Sequence, residues 1–222
     1  MTEPSSSSSS SARAERDLRI AELEARLARR RVGVRPLAAV LGIVVSLSLL
    51  AMQRRELAYV FSPAAPLTLG VEGDYRFDAL VSNRYAQVHG LPAARGAYER
   101  EGGATFVLVG LRESPFVVRR LALPGEDWVE GRPPPSPDSR PFGIRGRLLA
   151  QEDAPRYGDA LALLKGMGAV QPHEGRLWLL IEGERPGEDR GRVLVALALL
   201  AFAVLNAVLL VRGLTRRWSR GA

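Results

Sequence analysis

The chain has 222 residues, no cysteine and two histidines, and its formal net charge is +7. Without cysteine it forms no disulfide, and thiolate catalysis and cysteine-ligated metal sites are excluded. The charge does not indicate nucleic-acid binding, because it belongs to the two ends. Eight arginines and five acidic residues precede residue 36, four arginines and no acidic residue follow residue 211, and the middle of the chain is neutral.

The N-terminal 35 residues fall into two parts. Residues 1–12 contain an unbroken serine run and are predicted to be a disordered tail, because they cannot bury a core. Residues 13–35 are predicted to form a basic cytoplasmic helix, in which Ile20, Leu23 and Leu27 recur at helical spacing. This segment is either a solvent-exposed helix that continues into the transmembrane helix or a short coiled coil. Two heptads are too few to separate these alternatives.

Two apolar runs without any charged residue bracket the rest of the chain, at residues 36–52 and 193–211. A helix over either run spans roughly 25–29 Å, close to the ~30 Å hydrocarbon core of a bilayer. The sequence therefore predicts two transmembrane helices. Linkers at 53–70 and 185–192 join them to an extramembrane domain at 71–184, and a basic cytoplasmic tail at 212–222 ends the chain.

Flanking arginines predict the orientation of these helices, since basic flanks stay in the cytoplasm. Nine arginines flank the two runs on the sides that lead to the chain termini, and five flank them on the sides that lead to the domain. This balance favours both termini in the cytoplasm. The opposite orientation stays open because of Arg54, Arg55, Arg190 and Arg192. Lys165 is the one lysine, a bias typical of a GC-rich bacterial genome. We therefore expect a bacterial inner membrane protein with a periplasmic domain. The arginines that carry this prediction most directly are Arg29, Arg30, Arg31, Arg35, Arg212, Arg216 and Arg217.

Residues 71–184 are rich in predicted strands. Strands are expected at 85–89, 105–111, 116–123, 142–150 and 177–182, with a hairpin loop at 112–115 and one short helix at 157–167. The proline-rich residues 131–141 are expected to form an exposed loop. This pattern predicts a mainly β domain, a small barrel or sandwich within a β-rich α+β class.

Small and polar residues mark one face of each predicted transmembrane helix. Spacing of four residues predicts close helix approach along the first helix, and Asn206 is the one strongly polar side chain in either apolar run. We expect the two helices to pair with each other or to dock onto another membrane protein. The predicted helix-packing residues are Ala38, Gly42, Ser46, Ala203, Asn206 and Ala207.

The sequence predicts no catalytic, cofactor-binding or metal-ligating residue. His89 and His173 do not form a paired-ligand spacing, and neither a G-x-S-x-G elbow nor a phosphate-binding glycine loop occurs. Acidic pairs such as Glu152–Asp153 are typical of solvated loops, with a weak cation site as the alternative. This inventory favours a non-enzymatic protein.

The order of anchor, β-rich domain and anchor resembles the surfeit-locus-one family of cytochrome oxidase assembly factors. The likeness covers residues 36–211 and includes a strand ending in V-x-G (residues 88–90), the paired strands within 105–123 and a glycine-containing strand at 144–149. The asparagine-arginine and arginine-glycine-tryptophan signatures of the family are absent at the matching places, so no ligand residue is carried over.

The sequence leads us to expect one of two functions. The first is a non-enzymatic protein whose outer domain binds or stabilises another envelope component, such as a respiratory membrane complex that it helps to assemble. The second is a membrane-anchored sensor or enzyme that uses a pocket of the β domain for a small ligand.

Overall fold

The computed structural model describes residues 7–126, 128–129 and 131–218. Within them lie three α-helices, α1 (Ser7–Val60), α2 (Gly158–Gly166) and α3 (Arg190–Trp218). The nine strands are β1 (Leu67–Thr68), β2 (Gly70–Val71), β3 (Asp74–Tyr75), β4 (Arg84–Gly90), β5 (Pro92–Glu101), β6 (Ala104–Leu111), β7 (Phe116–Leu121), β8 (Phe142–Ala150) and β9 (Trp178–Glu182). The chain divides into two compact units, one of residues 54–193 and one that joins residues 1–53 to 194–222.

Two of the helices are long and apolar enough to span a membrane, at Leu37–Val60 and Arg190–Gly213, with mean hydropathies of 1.9 and 2.9. Each of these two helices, α1 and α3, contains one of the two apolar runs of the sequence. Helix α1 continues past residue 52 because the next residues are good helix formers and no proline lies between residue 52 and Pro63. At α3, the Asp189 carboxylate accepts a hydrogen bond from the Arg192 N–H at 3.2 Å and caps the first turn.

The N-terminal tail differs from expectation where the structure describes it. Helix α1 already begins at Ser7, inside the predicted disordered tail, and residues 1–6 lie outside the described residues. Serine has a middling helix propensity, and the Ala-, Arg- and Glu-rich sequence that follows lets the helix extend backwards through it.

The 54–193 unit is built on one seven-stranded mixed sheet with the order β1-β4-β8-β9-β7-β6-β5. The pairs β1–β4 and β7–β9 are parallel and the other four are antiparallel. Strands β7 and β9 run parallel because the chain between them forms β8 and α2 before it returns to the sheet. A separate two-stranded ribbon pairs β2 with β3.

The predicted barrel or sandwich is not what the sheet forms, although its β-rich α+β character is confirmed. No pairing joins β1 to β5 among the described strands, so the sheet stays open. A barrel needs full-length edge strands that can bond to each other, and β1 has only two residues. The second layer is a helix rather than a sheet, because α2 packs its buried Leu161 and Leu164 beneath the strands.

Alternating side chains bury both faces of the sheet. One face is centred on Phe116, Leu148 and Leu180 and is covered by Tyr75 and Phe77 from the segment before β4. The other face packs against α2 through residues such as Leu179. Gly146 of β8 lies directly against the carbonyl of Ile181, so any side chain there would collide with β9. Two cores therefore hold one continuous sheet.

Strand β5 was not predicted. Its sequence, PAARGAYERE, combines proline, glycine and four charges, all unfavourable for a strand taken alone. It forms because it pairs with β6, and its carboxylates Glu99 and Glu101 lie within 3.3 and 2.5 Å of the Arg119 guanidinium. Tertiary pairing thus overrides local propensity at this edge of the sheet.

Candidate functional site

About twenty residues separate β7 from β8, and the described ones form neither helix nor strand. We call residues 122–141 the β7–β8 segment. The exposed loop predicted at 131–141 lies within it. Segments of this length without regular structure are uncommon in compact domains, and when ordered they usually carry function.

A buried ion pair anchors the segment to the sheet. Arg120 of β7 donates two hydrogen bonds to the Glu126 carboxylate, Nη1 to Oε2 at 2.6 Å and Nη2 to Oε1 at 2.7 Å. The two side chains are only 6% and 5% exposed. The same carboxylate accepts the backbone N–H of Leu123 at 2.8 Å and that of Asp138 at 2.6 Å. Four donors thus converge on one carboxylate and fix both ends of the segment.

These contacts determine the ionisation of Glu126. Burial alone raises its pKa, but the hydrogen bonds from Arg120 and from the two backbone N–H groups outweigh burial and hold the pKa below its ordinary value. The hydrogen bonds to Glu126 likewise raise the pKa of Arg120. The pair is therefore charged near neutral pH, as a bidentate arginine–carboxylate contact requires.

Further bonds tie the segment to the edge of the sheet. The Tyr98 hydroxyl of β5 donates to the Pro135 carbonyl at 2.9 Å, and Arg100 Nη2 donates to the Trp128 carbonyl at 3.1 Å. Trp128 Nε1 donates back to the Arg132 carbonyl at 3.1 Å. The proline-rich chain is thus held in place by side chains rather than by a strand ladder.

The end of β7 and the ordered segment after it present apolar side chains to solvent. Leu121, Leu123 and Val129 are 57%, 41% and 49% exposed. We call these three residues the docking surface. Single exposed apolar residues are common, but three within nine residues, at the end of β7 and in a segment fixed by a buried ion pair, mark a candidate protein-binding site.

A second arginine cluster lies on the opposite face of the sheet. Arg147 of β8 donates to the Glu56 carboxylate at 2.7 and 3.1 Å and, through Nε, to Asn83 Oδ1 at 2.8 Å. Its guanidinium also stacks 4.6 Å above the Tyr59 ring. Glu56 accepts a further bond from Arg192. This cluster joins the last turns of α1 and the first turn of α3 to β8.

The helix-packing residues predicted in the spans are partly brought together. A Cβ added to Gly42 would lie 3.3 Å from Asn206 Cγ and from Phe202 Cε1, so the two helices meet closely there. Ser46 is buried and donates to the Gly42 carbonyl at 2.8 Å, and Ala203 is also buried. Ala207 is half-buried.

Two details of that interface differ from expectation. Ala38 is exposed and Ala39 is buried in its place, because a stripe along a helix alternates steps of three and four residues rather than four alone. Asn206 donates from Nδ2 to the Phe202 carbonyl of its own helix at 2.8 Å. Its amide therefore packs against Gly42 without a described hydrogen bond between the helices.

The remaining predicted residues are the arginines that flank the apolar runs and the two histidines. Arg212 is exposed, and the side chains of Arg29, Arg30, Arg31, Arg35, Arg216 and Arg217 lie outside the described side chains. His89 and His173 lie apart in β4 and in the loop before β9, where His173 stacks on Phe77 at 4.1 Å. Among the described residues, no group of three His, Asp or Glu side chains could hold a metal ion.

Sequence reasoning missed the Arg120–Glu126 pair. Arg119–Arg120 inside an apolar strand was the available signal, since a charge in a buried strand needs a partner nearby. No protein-family model matches the chain, and neither a curated protein nor a solved structure is significantly similar to it.

Proposed function

We propose that this chain is a non-enzymatic membrane protein whose β-rich unit binds another membrane protein or complex through the docking surface. The observation that carries the proposal is the ordered β7–β8 segment. A buried ion pair and two backbone hydrogen bonds fix a segment without regular structure. That segment exposes Leu123 and Val129, and Leu121, the last residue of β7, is exposed just before it. Rigid scaffolds that present loops with apolar side chains are typical of protein recognition.

The two apolar helices support the membrane part of the proposal. In the arrangement we propose, both termini are cytoplasmic and the β-rich unit lies in the periplasm of a bacterial inner membrane. The balance of flanking arginines supports this orientation. Reporter fusions after Ala222 and within residues 131–141 test it, and activity of a periplasm-dependent reporter at Ala222 would overturn the orientation.

The partner class that we propose is a respiratory membrane complex, for which the chain acts as an assembly or accessory factor. The layout of two anchors around one β-rich domain supports this choice through its resemblance to the surfeit-locus-one family. In a deletion strain of the native host, native electrophoresis is expected to show less of one assembled respiratory complex. Unchanged amounts of all such complexes would contradict the assembly role.

The docking surface itself is tested by substitution in the full-length protein. Leu123→Glu combined with Val129→Glu should prevent rescue of the deletion strain, because charge opposes burial of these positions in an apolar interface. Leu163→Glu is the matched control, since Leu163 lies on α2 and is 54% exposed. Equal rescue by both variants, at equal protein levels, would refute the docking surface.

A further inference from the structure

A separate pocket of about 330 Å³ opens on the α2 side of the sheet. Three irregular pieces of backbone build it. They are an interruption in β5 between Pro92 and Gly96, the β6–β7 turn at Arg112 and Glu113, and residues 167–171 after α2. None of these pieces belongs to the docking surface.

The β5 interruption turns three residues toward the pocket. Ala93, Ala94 and Arg95 stand opposite the single residue Gly110 in the pairing with β6. Bulges of this kind re-aim side chains and are frequent beside binding sites. A side chain at Gly110 would collide with Ala169 and Val170, so glycine is what lets the segment after α2 cross the sheet here.

The β6–β7 turn supplies the second irregularity. Glu113 has a φ of 53°, a left-handed conformation that non-glycine residues adopt infrequently. It follows Arg112, whose Nε donates to the Pro92 carbonyl at 3.3 Å. That bond orients the Arg112 side chain beside the interrupted part of β5, which leaves its terminal nitrogens available as donors.

The chemistry of the lining is amphipathic. Val170 is 4% exposed and Ala93 is 8% exposed, and together with half-buried Met167 they provide apolar wall. Arg95 and Arg112 provide two guanidinium groups, and the described residues contain no ion pair to either of them, in contrast to Arg119, Arg120 and Arg147. Glu113 is the one carboxylate among the described residues of the lining.

We propose that this pocket binds an oxyanion, a carboxylate or a phosphate monoester, that carries a short apolar group. The two guanidiniums hold the oxyanion by charge-assisted hydrogen bonds, for which their planar donor arrangement is suited. The apolar group lies on Met167 and Val170. This site is independent of the docking surface and gives the small-ligand alternative from the sequence a definite place and chemistry.

The chain offers a direct probe, because it has three methionines: Met1, Met52 in the first apolar run and Met167 in the pocket. The full-length protein, labelled with ¹³C-methyl methionine and placed in nanodiscs of uncharged lipid, gives a methyl spectrum that Met167→Leu assigns. Hexanoate and hexyl phosphate are expected to shift the Met167 resonance saturably and leave Met52 unchanged. Hexanol lacks the charge and inorganic phosphate lacks the chain, so both should act at least about tenfold more weakly.

Variants connect the shift to the two arginines. Arg95→Ala with Arg112→Ala should weaken binding of hexanoate and hexyl phosphate by at least about tenfold, as expected for loss of charge-assisted hydrogen bonds. Ala94→Asp, a substitution at an exposed position that leaves the core intact, should weaken binding similarly, because its carboxylate repels the oxyanion. Arg132→Ala is the matched control and should bind normally. Absence of saturable shifts, equal shifts with hexanol, or normal binding by both pocket variants would overturn the proposal.

Discussion

The described residues of the 54–193 unit include two bidentate arginine–glutamate pairs, one between residues six apart and one between residues 91 apart, and the two pairs differ in burial. In the Arg120–Glu126 pair both side chains are almost fully buried, at 6% and 5% exposure. In the Arg147–Glu56 pair the arginine is equally buried, but the glutamate is 36% exposed. The first fixes a loop and the second joins helix ends to the sheet.

Alternative partners separate the two pairs further. The Arg120 side chain has one other described acceptor, the Leu121 carbonyl at 3.1 Å. Arg147 has Asn83 as well as Glu184, whose carboxylate lies 3.6 Å away. A buried charge that loses its counter-ion destabilises the fold more, the fewer other groups remain to satisfy it. The same Glu→Gln substitution is therefore expected to lower the unfolding free energy by different amounts in the two pairs.

The largest effect is expected from Glu126→Gln. The substitution leaves Arg120 buried without a counter-ion and weakens the acceptor for the Leu123 and Asp138 N–H groups, so the unfolding free energy should fall by about 3–5 kcal/mol. Denaturant unfolding of the full chain in detergent, followed by the intrinsic fluorescence of its three tryptophans, measures this. Residues 131–141 should also be cleaved faster by protease.

A matched control for Glu126 is Glu152→Gln. The Glu152 side chain is 54% exposed and its nearest arginine nitrogen is 3.8 Å away, so the change should alter stability by less than about 0.5 kcal/mol. If Glu126→Gln behaves like this control, the ion pair does not hold the β7–β8 segment.

Gly42→Leu disrupts a contact that contains no ion pair. Even a Cβ at Gly42 would lie 3.3 Å from Asn206 and Phe202, so leucine should force the helices apart and cost about 1–3 kcal/mol of helix association. Asn206→Leu should have less effect, because the described hydrogen bond of Asn206 stays within its own helix. Disulfide formation between cysteines introduced into this cysteine-free chain measures the proximity of the helices, and a larger effect of Asn206→Leu would contradict the packing described.

Glu56→Gln tests the more exposed pair. Water and the remaining Asn83 and Glu184 contacts should limit the loss of unfolding free energy to about 1–2 kcal/mol, well below the loss for Glu126→Gln. The same unfolding measurement applies. An equal or larger loss than for Glu126→Gln would show that burial does not decide the response.

Acid should produce the smallest change over the physiological range. Because the folded-state pKa of Glu126 lies below the ordinary 4.5, its contribution to stability is complete above that value and is lost as pH falls through the folded-state pKa. The stability difference between the natural chain and Glu126→Gln should therefore be constant from pH 7 to about 5.5 and shrink below about 4.5. A difference that shrinks between pH 7 and 5.5 would contradict the lowered pKa.

Local sequence patterns predicted a large part of this fold. Strands β4, β6, β7, β8 and β9 and helix α2 lie where alternation and helical spacing predict them, to within two residues. Strand β5 and the open sheet were not predictable, because both depend on pairing between distant residues. Two residues that contribute to this unit precede residue 71, where the domain was predicted to start. They are Leu69, which is 0% exposed in the core, and Glu56, which pairs with Arg147.

The candidate site was less accessible to sequence reasoning than the fold. The loop at 131–141 was predicted from its prolines, but nothing local indicates that Glu126 turns inward to meet Arg120. Two adjacent arginines in one strand point to opposite faces, so each needs a different partner. Those partners, Glu99 and Glu101 for Arg119 and Glu126 for Arg120, follow from the register of the sheet and the course of the loop.

Site-specific photo-crosslinking tests the docking surface most directly. A photoreactive phenylalanine analogue at Leu123 in the full-length protein, irradiated in native membranes, should give one discrete adduct with a subunit of a membrane complex. The adduct should be lost when Glu126→Gln releases the segment and should not form from Leu163 on α2. Equal adducts from positions 123 and 163, or an adduct at 123 that survives Glu126→Gln at full yield, would contradict the account.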